Sequence, residues 1–362
     1  MVNRAVLGHL QSLLPICFIV FVCSEANADD KTEYLAELLQ QSTVATREIP
    51  YNGTFYYQHF TEETKWEASF SIVQASSTAR RIELLTPEHI KGASILRTAE
   101  AIWVSPLEED RKERFIRETE HIPWDRIFRK GQGLEIEDID LLVKNYTIEK
   151  TGNPIIIGRK TIKLEIRSKI EKWPRPSLNV WIDPITKLQL KYNRISPDKI
   201  LMNGIVFKQI SVGKDVSPVD FSTDGLEKII DLTESRDPKK DIQLDFSPYT
   251  PTFLPTGFVK RFEDKWQPHR ERWPGEITLH SSYSDGLSWL SIFQRRLNEK
   301  EKKKAVAENE NRVQRLDRRG HAVYFIIING LRISAVSDLH PRVTVRTLKS
   351  MVPARNSSSK NK

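Results

Sequence analysis

Cysteine is nearly missing from this chain. Its 362 residues contain two, Cys17 and Cys23, and both fall near the first apolar stretch. The remainder can form no disulfide, no cysteine-based metal site and no thiol nucleophile. Long apolar runs are also missing. Beyond Val22 no segment approaches the ~20 consecutive apolar residues that a membrane-spanning helix needs. There is no Gly-x-Ser-x-Gly elbow to present a nucleophilic serine. The eight histidines are scattered, with no pair at helical spacing beside a carboxylate, so no metal is expected. Gly131-Gln-Gly133 lies in no strand-to-helix context and is not a phosphate loop. No cofactor motif is present.

What the chain does have begins with an export pattern. Arg4 is followed by the apolar run Leu13 to Val22 and then by the small-residue site Ala26-Asn27-Ala28. These predict a secretory signal peptide over 1–28, cut near Ala28. A retained N-terminal anchor is the competing reading. The net charge is +8. Basic charge of this size permits nucleic-acid binding, but export argues against it and favours anionic lipid or an acidic protein segment. Without disulfides, the exported chain must be held by a hydrophobic core, and its length suits roughly two domains.

Hydrophobic periodicity divides the rest. A helix is predicted over Glu33 to Thr46, where Leu35, Leu38 and Leu39 share a face. Alternating segments follow at Thr54 to His59, Trp66 to Val73, Arg80 to Leu85 and Ile102 to Val104. More come at Tyr146 to Glu149, Arg159 to Arg167, Leu178 to Asp183, Lys187 to Tyr192 and Ile205 to Val212. Residues 107–133 are charged and read as loop with short helix. The expected fold is α+β: a large curved antiparallel half-barrel sheet with covering helices over 29–235, then a smaller α+β C-terminal domain over 236–352. The polar stretch 233–243 marks the boundary, and 353–362 is a tail expected to be disordered.

The smaller domain opens with LHSSYSDGLSWLSIF, residues 279–293. His280, Ser284 and Asp285 invite a hydrolase reading. Period-two alternation on both sides of Asp285-Gly286 argues instead for a β-hairpin, with Gly286 supplying positive φ and Asp285 bonding nearby backbone N–H groups. Asn329-Gly330, between AVYFIII and LRISAV, marks a second hairpin. A catalytic role here would need a base oriented by tertiary structure, which closeness in sequence does not provide.

YSDGLSWLSIF resembles the most characteristic segment of the MucB/RseB family of periplasmic regulators of envelope-stress sigma factors. TPTFLPTGF (250–258) and GHAVYFIIINGLRISAVSDLHPRVTVRTLKSM (320–351) are similar to that family's small-domain entry, closing hairpin and helix. NYTIEKTGNPIIIGRKTIKLEI, LNVWIDPITKLQLKY and YNGTFYY resemble its large-domain strands. The resemblance implies a LolA-like large domain and a non-enzymatic role. Such a protein holds the periplasmic part of a single-span anti-sigma factor and shields it from proteolysis. Lipopolysaccharide or a mislocalised lipoprotein releases that hold. A LolA-type carrier of lipid or lipoprotein is the alternative, and an extracytoplasmic hydrolase is a third. Homo-oligomerisation is left open.

Two sets of residues are candidates for binding. Phe55, Tyr57, Phe70, Ile72, Trp103, Trp181, Leu188 and Leu190 form either a packed core or the wall of a cavity for an acyl chain. The charged run Arg295 to Arg319 reads as a solvated helix or flexible insertion. Its alternative is an electrostatic contact, through Lys302, Lys303 and Lys304, with lipid phosphates or an acidic partner segment.

Overall fold

The computed structural model describes residues 28–60, 65–105, 136–170, 172, 174–213, 221–231, 243–266, 277–298, 301, 312–318 and 321–354. The signal segment ahead of Ala28, the charged stretch 107–133, most of the 233–243 linker, Lys302 to Lys304 and the last eight residues lie outside them.

The chain enters through helix α1 (Ala28–Glu48) and then β1 (Tyr51–Phe60), β2 (Lys65–Ser76), β3 (Ala79–Thr86), β4 (Ser94–Arg97) and β5 (Ala101–Val104). Helix α2 (Ile139–Asn145) leads directly into β6 (Tyr146–Gly152). A small hairpin of β7 (Ile155–Ile156) and β8 (Arg159–Lys160) follows. Next come β9 (Ile162–Ser168), β10 (Ser177–Ile182), β11 (Gln189–Ile195), β12 (Leu201–Val212) and β13 (Glu227–Asp231). Eleven of these strands make one open antiparallel sheet in the order β13-β5-β4-β3-β2-β1-β12-β11-β10-β9-β6.

Alternation along each strand sends one set of side chains to a single apolar face. Phe55 and Tyr57, Phe70 and Ile72, Leu164 and Ile166, Val180 and Ile182, and Leu188 and Leu190 join one core cluster there, with Leu35, Leu38 and Leu39 of α1 in the same cluster. The helix forms because those leucines share one stripe, and the sheet gives that stripe something to bury. Its C-terminal end is tied down by side chains of the sheet. Gln74 Nε2 donates to the Thr46 and Ile49 carbonyls at 2.9 and 3.0 Å, and Arg80 Nε donates to Gln74 Oε1 at 2.7 Å. A buried arginine beside a helix C-terminus also faces the negative end of the helix dipole.

The second half contains β14 (Tyr249–Pro251), β15 (Val259–Trp266), β16 (Thr278–Ser284), β17 (Trp289–Arg296), β18 (Gln314–Arg318), β19 (His321–Ile328) and β20 (Leu331–Ser337). Helix α3 (Pro341–Lys349) and β21 (Met351–Pro353) close it. Six strands form a sheet in the order β15-β16-β17-β20-β19-β18, while β14 pairs with β21. A separate cluster centred on Leu290, Ile292, Ile333, Ala335 and Leu348 is its core.

The charged run 295–319 differs from its sequence reading. Arg295 and Arg296 end β17, and residues 314–318 are β18, paired with β19. Arg295 reaches Glu301 through both terminal nitrogens at 2.7 and 2.6 Å. An edge strand tolerates such charge because its outer side faces water, and charge there discourages pairing with other chains. Strands β4 and β13 were also not anticipated. They are four and five residues long.

Candidate functional site at the junction of the two sheets

The hairpin turn that looked reactive in sequence is a plug between the two halves. Its geometry starts with α2. Asp138 caps that helix, Oδ1 accepting from the Leu141 N–H at 2.9 Å, while Oδ2 accepts from Arg261 of β15 at 2.5 Å. At the other end of α2, Asn145 Nδ2 donates to the carbonyls of Gly257 at 3.2 Å and Asp285 at 3.0 Å. One short helix therefore contacts the second half at both ends.

Asp285 is the centre. Its Oδ1 accepts from the N–H groups of Leu287 and Ser288 at 3.1 and 2.7 Å, which shapes the turn. Its Oδ2 accepts from the Tyr146 hydroxyl at 2.8 Å and from Arg175 Nη1 at 2.5 Å. Both side chains of the Arg175–Asp285 pair are 0% exposed. Arg175 also donates to the Thr256 carbonyl and lies over the Phe258 ring, 5.4 Å from its centroid. Burial first, and then the Asp285 charge, push the Tyr146 hydroxyl well above the usual phenol range, so it stays protonated and donates. A second buried pair, Arg194 with Asp338, crosses from β11 to the loop after β20. Asp338 also accepts from the Trp289 N–H at 3.0 Å.

Two glycines allow the close approach. Gly286 has φ +101°, and a Cβ there would lie 2.5 Å from the Leu142 backbone nitrogen of α2. Gly257 has φ +84°, and a Cβ would lie 2.1 Å from Asn145 Oδ1. Beside Gly286, Leu287 packs against the core of the first half rather than its own. The turn residues thus reach across the boundary, and their side chains belong energetically to both halves.

Ser284 and His280 have other occupations. The Ser284 hydroxyl donates to the Ser288 carbonyl at 2.9 Å and accepts from the Gly286 N–H at 3.0 Å. His280 is stacked on Phe293 with centroids 4.3 Å apart and meets Phe262 edge-on at 5.0 Å. Burial lowers its pKa, against a smaller upward pull from Asp264. Neither residue is arranged as part of a nucleophile–base pair. At the other predicted turn, Asn329 and Gly330 have φ of +49° and +72°, and Asn329 Nδ2 donates to the Tyr249 hydroxyl at 2.8 Å.

The apolar candidates divide into two groups. Phe55, Tyr57, Phe70, Ile72, Leu188 and Leu190 lie together on the α1-facing side of the large sheet, each at most 1% exposed. Phe55 stacks on Phe70 at 5.0 Å, and Trp66 extends the aromatic row 5.8 Å from Tyr57. Trp181 points to the opposite side of the sheet, beneath Lys163 and Lys191, whose ammonium groups lie 5.4 and 4.6 Å from its ring centroid. Trp103 alternates with Ile102 and Val104, which belong to or pack on the core, and so also faces away. Sequence reasoning missed Arg175, Asn145, Tyr146, Arg194 and Asp338. Their partners are up to 144 residues away, so no local pattern marks them.

The family model described as "MucB/RseB N-terminal domain" matches residues 35–224, just over half of the chain. The structure titled as the complex of Pseudomonas aeruginosa MucA/MucB is similar with a TM-score of 0.60 at 15% identity. The match covers 88% of this chain and 99% of that one. A second structure, of MucB in complex with MucA(peri), gives 0.59 at 15% identity, over 88% and 98%. MucB by itself gives 0.51, over 90% and 98%. At this identity the likeness establishes a shared fold, and it spans both sheets. No curated protein matches.

Proposed function

The chain belongs to the MucB/RseB family, and on that premise we propose that it is a periplasmic, non-enzymatic regulator that binds the periplasmic part of a single-span anti-sigma factor and shields it from proteolysis. The observation that carries this reading is the likeness to the MucA-bound form of MucB, which extends over both sheets. The buried junction supports it. Arg175–Asp285 and Arg194–Asp338 hold two separately cored halves in one relative position, which a surface shared between them would need.

In this reading the domains divide near residue 235, and an amphiphile, lipopolysaccharide or a mislocalised lipoprotein, releases the partner. Its acyl chain replaces Leu35, Leu38 and Leu39 of α1 against the wall of Phe55, Tyr57, Phe70, Ile72, Leu188 and Leu190. That exchange trades one set of apolar contacts for another, at ~0.8 kcal/mol per buried methylene on each side. Lys302, Lys303 and Lys304 supply an electrostatic contact to the anti-sigma segment or to lipid phosphate. A lipid carrier of the LolA type would use the same wall for transport but would have no use for the second sheet.

The test uses the full chain and the periplasmic segment of a single-span anti-sigma factor from the same cell. Retention of that segment, protection of it from protease, and loss of both on adding lipopolysaccharide are the expected results. Retention that survives lipopolysaccharide removes the release mechanism. No retention at any salt concentration, with vesicle-to-vesicle transfer of a fluorescent lipid, would establish the carrier instead. Replacing Lys302, Lys303 and Lys304 by glutamate is expected to weaken retention most at low salt.

A further inference from the structure

The side of the large sheet that faces away from α1 carries an ordered cationic row. Lys163 on β9 is registered with Trp181 on β10, Trp181 with Lys191 on β11, Lys191 with Val206 on β12, and Val206 with Tyr56 on β1. Their chain neighbours Ile162, Leu164, Val180, Ile182, Leu190, Tyr192, Ile205, Phe207, Phe55 and Tyr57 all belong to the core. Strand alternation therefore puts the row on the other face. Lys208, two residues beyond Val206, sits 5.5 Å from the Tyr56 ring centroid and is exposed. Three ammonium groups are thus gathered over two aromatic rings, on the faces where ring quadrupoles attract cations.

Of the acids on this face, Glu67 pairs with Lys65 at 3.0 Å, accepts from Gln58 at 2.7 Å and also bonds Tyr56 of the row. Glu165, registered with the exposed Glu149 of β6, pairs with Arg167 at 2.8 Å. Among the described residues no carboxylate forms an ion pair with Lys163, Lys191 or Lys208. Burial, and then the Lys163 and Lys208 charges, hold the Lys191 ammonium below its usual range. Like charges brought together in this way cost free energy in the isolated protein, and an anion laid across them recovers it.

We infer that Lys163, Lys191 and Lys208, set over Trp181 and Tyr56, form a docking face for an anionic phospholipid bilayer. The geometry selects this occupant over an acidic polypeptide. Strands β9, β10, β11, β12 and β1 are all internal to the sheet, with neighbours on both sides. Their backbone groups are taken, so an added peptide strand finds no ladder to extend. The row crosses five strands, about 19 Å at the usual strand spacing. It presents its charges from one sheet face, the arrangement that a plane of phosphate headgroups meets all at once. Tyrosine and tryptophan suit the headgroup level. The net charge of +8 adds long-range attraction to the same surface. Docking would keep the protein beside the membrane without a spanning segment, independently of how the anti-sigma segment or an acyl chain is bound.

The test is co-sedimentation of the full chain, as the cell processes it, with vesicles containing about one third phosphatidylglycerol, against pure phosphatidylcholine vesicles. Binding to the first alone, lost at about 0.5 M salt, is expected. The variant Lys163→Gln/Lys191→Gln/Lys208→Gln should lose about a hundredfold in vesicle affinity, since each surface lysine contributes about fivefold. A control, Lys150→Gln/Lys160→Gln/Lys199→Gln, removes the same charge from exposed positions elsewhere and should retain most of the binding. Circular dichroism checks that both variants fold, and Lys→Arg at the three row positions should preserve binding. Equal loss in the control means net charge alone acts and overturns the proposal. So does binding that survives in the row variant, or no vesicle binding by the parent chain. Row-dependent capture of a polyglutamate peptide without vesicle binding would assign the face to an acidic polypeptide and overturn it as well.

Discussion

Asp285→Asn tests whether the junction is held by a buried charge pair or only by shape. The substitution keeps the volume and one carbonyl oxygen, so the turn N–H groups of Leu287 and Ser288 retain an acceptor. What changes is Oδ2, which now accepts from the Tyr146 hydroxyl and Arg175 Nη1. With a neutral amide there, the Arg175 guanidinium keeps its charge at 0% exposure and loses its counter-charge. Removing one member of a buried pair costs ~3–5 kcal/mol, because the survivor stays desolvated without compensation. At a urea slope near 3 kcal/mol/M this is a fall of about 1–2 M in the unfolding midpoint. The assay is urea titration followed by tryptophan fluorescence and by far-ultraviolet circular dichroism. Because the pair joins two separate cores, the two probes should part in the variant, with the smaller sheet melting first. Arg175→Met should be costly by itself. The double variant Arg175→Met/Asp285→Asn should recover ~2 kcal/mol or more relative to the sum of the singles. If Asp285→Asn shifts stability by less than ~1 kcal/mol, or the two changes simply add, the charge pair does not hold the junction.

Gly286→Ala combines strain at φ +101° with a methyl 2.5 Å from the Leu142 nitrogen, and should cost ~2–4 kcal/mol. Gly330→Ala, at φ +72° with open space around it, should cost ~1 kcal/mol, and equal urea midpoints for the two would remove the close-approach argument. Phe55→Ala opens the α1-facing core and should cost ~3–5 kcal/mol in chemical denaturation, with Leu38→Ala non-additive to it because both share one cluster. His280 governs part of the pH dependence. Burial lowers its folded-state pKa, so between that value and ~6.5 the unfolded chain binds more protons. Stability is therefore unaffected by this group above ~6.5 and declines as pH falls through that window. His280→Phe, between Phe262 and Phe293, should flatten the slope between pH 7 and 5, and an unchanged slope would assign it to other groups.

Local periodicity made much of the fold legible. Leu35, Leu38 and Leu39 gave α1 because three- and four-residue spacing survives any tertiary context. Phe70 with Ile72 and Leu188 with Leu190 marked strands because period two does too. Asp285-Gly286 and Asn329-Gly330 read as turns because few residues tolerate positive φ. Where charge replaced alternation the reading failed: Gln314–Arg318 looked like solvated helix or insertion and is a strand. The residues of the candidate site were legible only one at a time. Asp285 could be named as a turn residue, but nothing near it in the chain points to Arg175 or Tyr146.

What the sequence determined by itself is the inventory: no disulfide chemistry beyond Cys23, an α+β series of strands, two hairpin turns and an apolar face for each sheet. These follow from composition and from periods of two and 3.6, which are properties of the backbone. The tertiary structure alone decided that Asp285 joins the two halves, that Trp181 sits under lysines rather than in the core cluster, and that Ser284 and His280 have separate partners. Those outcomes depend on which distant strands become neighbours. Burial then turns an ordinary turn carboxylate into the counter-charge of a fully enclosed guanidinium.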